Sequence, residues 1–393
     1  MGSPVWYRLL VAPRRVIASC LVAVFLALAV LLVFPIVRAA GGPLAYVANH
    51  GDDTITVIDT ATNAVVGPPI SVGRSPSDVA ITPDGTRAYV SNENDGTISV
   101  IDTATQSVVA TIRFDRVLGV SPSDVAITPD GTRAYVIDNS DNNTVWVIDT
   151  AANTAADGIR IWSIPVAIAV IPNGTRGYVV STDRVSVLDT ATKTLVGTPL
   201  LGSDFSAWFS DVALTPDGTR AYVTGGGNGG GTVSVIDTRT NALVDTVSVG
   251  GEPTAITITP DGRRAYVTNL NEVSVLDTLT NTSVGNIPVG HDPAGVAVTP
   301  DGMRVYVTNF NDGTISVIDA ASTAVSATVA VGAQPWGVAM APLAASGQTG
   351  NSGGGGCSTQ PRADTRGLVV LLLCVPLLWQ LRREGKQRAL RRE

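Results

Sequence analysis

At 393 residues, with 45% hydrophobic and 15% charged content, the chain is long enough to bury a large core, and composition alone allows two domains. The net charge of −7 hides an asymmetry, because residues 39–350 hold fourteen Lys and Arg against thirty Asp and Glu while basic residues collect at the two ends. An acidic body excludes nucleic acid as the partner, since phosphate binding needs clustered Lys and Arg, and it favours a cationic or neutral partner.

Residues 1–39 carry Arg8, Arg14 and Arg15 ahead of a 22-residue apolar run, Val16 to Val37. The segment reads either as a signal peptide, with Val37-Arg38-Ala39 as its cleavage site, or as a retained N-terminal membrane anchor. In both readings the positive-inside rule places the rest of the chain across the membrane, so the body is expected to be exported.

From Leu44 a repeat begins. Seven tyrosines (Tyr46, Tyr89, Tyr135, Tyr178, Tyr222, Tyr266 and Tyr306) stand 40 to 46 residues apart, each with its neighbours in a common pattern. The last full copy, Thr299 to Ala320, shows the parts. Thr-Pro-Asp-Gly is a turn: proline presets φ, aspartate bonds its own backbone, and glycine accepts positive φ. Arg304–Thr308 and Thr314–Ile318 read as strands rich in β-branched residues, separated by a turn over Asn309–Gly313. Ala324–Val331 and Trp336–Ala341 add two more. Four short strands per unit of about forty residues, without helical periodicity, predict an all-β, seven-bladed β-propeller over residues 44–342 with four-stranded antiparallel blades. We letter the strands A (Gly-Val-Ala-Val type), B (Tyr-Val), C (Ser-Val-Ile-Asp) and D. The first copy lacks strand A, and Trp336–Ala341 is an A strand without a following B. The C-terminal strand is therefore expected to close the first blade and remove the open edges. The body contains no cysteine, so closure depends on strand pairing.

The sequences RVYVTNFNDGTISVID and RAYVSNENDGTISVID resemble the YVTN family of β-propeller repeats of bacterial and archaeal surface-layer and exported proteins. The Gly-His and Trp-Asp marks of WD40 repeats are missing. The resemblance, covering about three quarters of the chain, implies a seven-bladed propeller outside a cell, in a binding or structural role, with no shared catalytic set.

Residues 343–366 form a Gly/Ser-rich linker containing Cys357, followed by an apolar segment at 367–381 and a basic tail at 382–393 expected to be cytoplasmic. This arrangement resembles the tripartite C-terminal sorting signals of Gram-negative bacteria, which implies that Cys357 is a processed or lipid-modified residue. A plain C-terminal anchor with a lone cysteine is the alternative.

Residues that recur in every blade are poor candidates for a site. The seven aspartates that end strand C (Asp59, Asp102, Asp149, Asp189, Asp237, Asp277 and Asp319) are expected to bond turn amides, and the seven tyrosines to pack between blades. The D–A and B–C loops share one face, so binding residues are sought where those loops depart from the pattern: 113–123, 200–210 and 225–231. The loop at 200–210 holds Asp204, Phe205, Trp208 and Phe209, and Phe209 stands where six other copies have proline. Three aromatics suit an interface anchor or a sugar platform, and equally a filler over the blade edge. Asp78, Asp124 and Asp211 share one position at the start of strand A, near the channel mouth, where the other copies have Ala or Gly. They read as strand-capping acids or as ligands of a hard cation.

Enzyme chemistry has little support. His50 and His291 lie in loops of different blades, no thiolate cluster or nucleophile elbow exists, and Glu252 and Asp292 are only generic acids. The expectation is a non-catalytic, membrane-tethered, monomeric propeller without a cofactor that binds a protein or glycan at its loop face. The alternative is an exported lactonase-like or redox-associated enzyme using the central channel.

Overall fold

In a computed structural model, the structure describes residues 42–342 except 115–118, 141, 157, 198–199, 201–207 and 227–229. Each Thr-Pro-Asp-Gly segment forms its expected turn. In the second blade Gly85 N donates to Thr82 O at 2.7 Å, and the Asp84 carboxylate accepts from Thr82 Oγ1 at 2.6 Å and Thr86 N at 3.0 Å. Gly85 sits at φ 71°, a region where a Cβ is strained. These bonds hold the Asp84 carboxyl below its usual range, the Thr82 hydroxyl contributing most. Asn173 plays the same part in the fourth blade, accepting from Thr175 N at 3.0 Å.

The turns organise seven antiparallel sheets ordered A-B-C-D. Strand A runs over Pro76–Ile81, Pro122–Ile127, Pro165–Val170, Trp208–Leu214, Pro253–Ile258, Pro293–Val298 and Pro335–Met340. Each A strand packs on the next, and Pro335–Met340 lies between Pro293–Val298 and Pro76–Ile81, so the A strands form a closed inner ring. Closure follows the expected scheme: Pro335–Met340 pairs with Leu44–Asn49, with Tyr46 opposite Ala339 and Val47 opposite Val338. The last of the described strands thus completes the first blade.

The core lies between blades rather than in one central mass. Tyr46, Ile55 and Val57 of the first blade meet Val79, Val90 and Ile101 of the second, and an equivalent layer fills each of the other junctions. Strands B and C alternate faces, so each supplies side chains to the layers on both sides. Polar staples reinforce the apolar layers. Tyr178 Oη donates to Asn241 Oδ1 at 2.8 Å and to Thr238 O at 3.3 Å in the following blade, and Tyr89, Tyr222 and Tyr306 repeat the arrangement. The strand-C aspartates bond turn amides as expected, Asp237 Oδ1 accepting from Arg239 N and Thr240 N at 3.1 and 2.8 Å.

Two departures from the ideal meander have local causes. Strand D of the first blade is broken into Ala64–Val65 and Ile70–Ser71, because Gly67 adopts φ 71° and Pro68 and Pro69 carry no donor for the ladder. In all seven blades the A–B pairing shifts register near the start of A, as between Pro76 and Asp78. This recurring bulge lies beside the channel-mouth position.

Candidate functional site at the loop face

Because B returns antiparallel to A and C to B, the D–A and B–C connections share one face, and the inner ring opens at its centre. Asp78, Asp124 and Asp211 stand at the start of strand A on this side, and each residue is half-buried. Each is spent on the following blade. Asp78 Oδ2 accepts from Val125 N at 3.1 Å, Asp124 Oδ2 from Ile168 N at 2.6 Å and Asp211 Oδ2 from Ile256 N at 2.8 Å. Asp124 and Asp211 also bond their own following amides, Val125 N at 2.9 Å and Val212 N at 2.7 Å. The acids therefore cap strands, as one sequence reading held, but the strands they cap belong to the neighbouring blade.

Asp78 and Asp124 are also in hydrogen-bond contact with each other. Crowding by protein atoms pushes the Asp78 carboxyl well above its usual range, and the charge on Asp124 pushes it further. Desolvation raises Asp124 as well, and its hydrogen bonds to Asp78 and to the Ile168 and Val125 amides pull it back down. Asp211 stands apart from that pair. It is pushed up to about 7, first by desolvation and then by the charge on Asp124. Among the described residues no three His, Cys, Asp or Glu converge to hold a metal ion.

In the two blades with glycine at this position, Gly295 and Gly337, crowding explains the replacement. A Cβ on Gly337 would come within 2.8 Å of the Asp78 Cα and Oδ1, so the first blade's A strand lies directly against Asp78. Trp336, the preceding residue, is thereby placed beside the channel mouth.

In the fifth blade Asp204 and Phe205 lie outside the described residues, whereas Trp208 and Phe209 are placed. Phe209 is half-buried against the layer containing Tyr178, Val212 and Val223, and its N–H donates to Thr182 O of the fourth blade at 3.3 Å. Its ring occupies space that the motif asparagine takes elsewhere. In the second blade that asparagine, Asn92, is fully buried, and its Oδ1 accepts from Gly73 N at 3.1 Å. The fifth blade has Gly225 there, and a Cβ on it would meet the Phe209 Cδ1 at 2.8 Å. The Trp208 indole lies over Gly226, with Cζ2 only 2.7 Å from a would-be Cβ. Phe209 is thus a packing residue, whereas Trp208 keeps 36% of its surface exposed.

The same face carries other exposed apolar groups. Trp162 of the fourth blade is 51% exposed, Leu270 of the sixth 53% and Trp336 of the first 46%. Trp336 is held between Phe310 of the seventh blade, edge-on with ring centres 5.2 Å apart, and His50 of the first at 5.9 Å. Exposed or half-exposed apolar side chains therefore occupy five consecutive blades on this face, from the fourth round to the first. Carboxylates surround them. Asp52, Asp95, Glu252, Asp292 and Asp312 are all exposed. Asp95 pairs with Arg74 at 2.6 Å and Asp312 with His291 at 2.9 Å, which hold both carboxyls below their usual range. Asp292 accepts from the Asn311 amide. Glu252 and Asp292, weighed as general bases, lie in D–A loops of successive blades, and no catalytic partner joins them among the described residues. A polar groove of about 340 Å³ lies between the first two blades, lined by Gly73, Asp95, Ser99, Thr111 and Arg113.

Sequence reasoning missed Trp162 and the His50–Phe310–Trp336 group. Trp336 stands where other copies have Ser77, Ser123, Ser210 and Thr254, so the departure test that singled out Trp208 would have found it.

A closed ring of seven four-stranded blades, stapled by Tyr and Asn and presenting an aromatic, acidic loop face, defines a seven-bladed β-propeller. Residues 3–346 match the model of the YNCE-like beta-propeller family, and the chain belongs to that family. A curated relative, the seven-bladed beta-propeller protein Rv1057 of Mycobacterium tuberculosis (strain ATCC 25618 / H37Rv), is 33% identical over 120 residues, which is 29% of this chain and 30% of that protein. Among solved structures, the hydrazine synthase of Kuenenia stuttgartiensis aligns with TM-score 0.64 at 23% identity, covering 70% of this chain and 91% of that one. A functionally unknown protein from Desulfotomaculum acetoxidans DSM 771 aligns with TM-score 0.66 at 21% identity, covering 76% and 98%. At these identities the structural likenesses speak for the fold alone.

Proposed function

We propose that this propeller is a non-catalytic binding module whose partner, a protein or a glycan, docks on the face formed by the D–A and B–C loops. One observation carries the reading: exposed apolar side chains crowd that face on five consecutive blades, with Trp162, Trp208 and Trp336 as anchors. Large aromatic groups held on rigid strands lose little conformational freedom on contact and are the usual anchors of recognition surfaces. The proposal extends to placement. The chain is exported and tethered through its terminal segments, a surface-layer or periplasmic role supported by the apolar runs at 16–37 and 367–381 and by the sorting-signal pattern around Cys357. These runs lie outside the described residues; among those described, no helix is long and apolar enough to cross a membrane.

The test is an array of defined glycans and peptides probed with the parent chain and with a Trp162→Ala, Trp208→Ala, Trp336→Ala variant. The reading expects at least one probe to be retained by the parent and released by the variant. Equal retention of every probe would end it. A channel enzyme is the second reading, favoured by the single observation that three carboxyls, Asp78, Asp124 and Asp211, share the channel-mouth position and are all pushed up by desolvation, Asp211 to about 7. Hydrolysis of a lactone panel that Asp211→Asn abolishes would support it.

A further inference from the structure

We infer that the partner of the loop face is a protein segment rich in Arg or Lys that seats a cationic side chain over Trp336 at the channel mouth. The inference rests on the binding reading above and adds the chemistry of the partner.

Three independent features of the surface converge on a cation. First, Trp336 is fixed by Phe310 and His50 on its flanks yet leaves nearly half its surface free, so an indole is presented without the cost of ordering it. A guanidinium or ammonium gains most from an indole when carboxylates also surround it. Second, Trp336's own blade and the two blades before it in the ring supply such carboxylates. Asp52, Glu252 and Asp292 are exposed on the first, sixth and seventh blades, and no Arg or Lys pairs with them among the described residues. Of the cations on this face among the described residues, Arg74 is engaged by Asp95, Arg184 by Asp183 and His291 by Asp312, while Arg113 and Arg160 stand at the ends of the outer D strands of the second and third blades. Third, the inner ring opens beside Trp336 with Asp78 against its strand, and Asp124 and Asp211 further round. Burial and mutual repulsion raise these carboxyls, and a cation on the axis would favour the ionised form of each and be held by it in return.

A neutral glycan would use the aromatics and donate hydroxyls to the carboxylates, but it would bring no charge to balance theirs. A polyanion would be repelled by them. A basic peptide uses both.

The test uses the full chain and a fluorescein-labelled peptide of alternating Arg and Ser, followed by anisotropy, with a Glu–Ser peptide and a neutral β-glucan oligosaccharide as comparators. Trp336→Ala is expected to weaken the Arg–Ser peptide about tenfold, as loss of an interface anchor does. Joint replacement Asp52→Asn, Glu252→Gln and Asp292→Asn is expected to do the same and to flatten the salt dependence. The control is Asp84→Asn, Asp130→Asn and Asp261→Asn on the opposite face, which removes equal charge and keeps the turns, since Asn173 already fills that role. The control should bind as the parent does. Equal weakening in the two triple variants would show general acidity rather than a site and would overturn the inference. So would absence of binding by the Arg–Ser peptide. If the oligosaccharide binds through Trp336 and the peptide does not, the partner class is wrong while the binding face stands; if no probe responds to any change on this face, both readings fall.

Discussion

Tyr266 lacks the asparagine staple that Tyr89, Tyr178, Tyr222 and Tyr306 have, and this allows a quantitative test of how the ring is held together. The Tyr266 hydroxyl is buried with no hydrogen-bond partner, because the seventh blade has Thr323 where Asn63, Asn153, Asn241 and Asn281 accept from the other tyrosines. Thr323 is also at φ 52°, a left-handed conformation that a β-branched residue adopts at a cost and asparagine adopts readily. Thr323→Asn repairs both faults. A buried hydrogen bond contributes about 1 kcal/mol, and relief of the backbone is worth about another 1. The expected gain is therefore about 2 kcal/mol, or a rise of about 3 °C in melting temperature for a domain of this size. Calorimetry on the parent, Thr323→Asn, Tyr266→Phe and the double variant separates the terms. Tyr266→Phe alone should be neutral or slightly stabilising, since it removes an unpaired hydroxyl, whereas Tyr222→Phe should cost about 1 kcal/mol. In the Tyr266→Phe background the Thr323→Asn gain should fall by about half. A gain of unchanged size there would show that no staple forms, and the absence of any gain would refute the reasoning altogether.

Three further outcomes follow from the same geometry. Asp211 has its folded pKa raised to about 7, so it binds its proton more tightly folded than unfolded; its contribution is fully present below the unfolded value near 4, is lost as pH rises to about 7 and stays lost above. Asp211→Asn keeps one acceptor and loses the other, since Val212 N and Ile256 N each bond one carboxylate oxygen, so it carries a constant offset; relative to the parent it should gain about 1–2 kcal/mol between pH 4 and pH 8, a figure discounted for channel water, and parallel stability profiles across that range would contradict this. Gly225→Ala should cost about 1–3 kcal/mol in urea unfolding, because the new methyl meets the Phe209 ring and the Trp208 backbone, and a neutral result would mean that the aromatic pair does not sit as described. Deleting 335–342 should abolish the single cooperative transition of the whole domain, since it reopens the inner ring between the seventh and second blades; an unchanged melting curve would sink the closure scheme.

The architecture was legible because its determinants are local. Thr-Pro-Asp-Gly dictates a turn by its own chemistry, the spacing of the tyrosines sets the blade length, and the unmatched strands at the two ends imply closure by subtraction. What escaped is non-local. The Asp78, Asp124 and Asp211 carboxylates reach amides 44 to 47 residues away, on the next blade, and a recurring bulge accompanies them; neither the reach nor the bulge leaves a mark in one copy of the repeat. The His50–Phe310–Trp336 group joins residues from both ends of the chain that only ring closure brings together. Phe209 was legible as a departure, but its meaning depends on Gly225, the compensating change on the adjacent strand. The candidate site was therefore visible as a face before it was visible as residues.

The central claim, that recognition occurs at the D–A and B–C loops, is tested most directly by amide hydrogen exchange of the full chain with and without the Arg–Ser peptide and the neutral oligosaccharide. The account predicts that a bound probe slows exchange at 250–253, 290–293 and 332–336, around Trp336, and leaves the turns at 82–86, 128–132 and 259–263 unchanged. Protection of those turns, or of the outer D strands, with the loop face unaffected would contradict it.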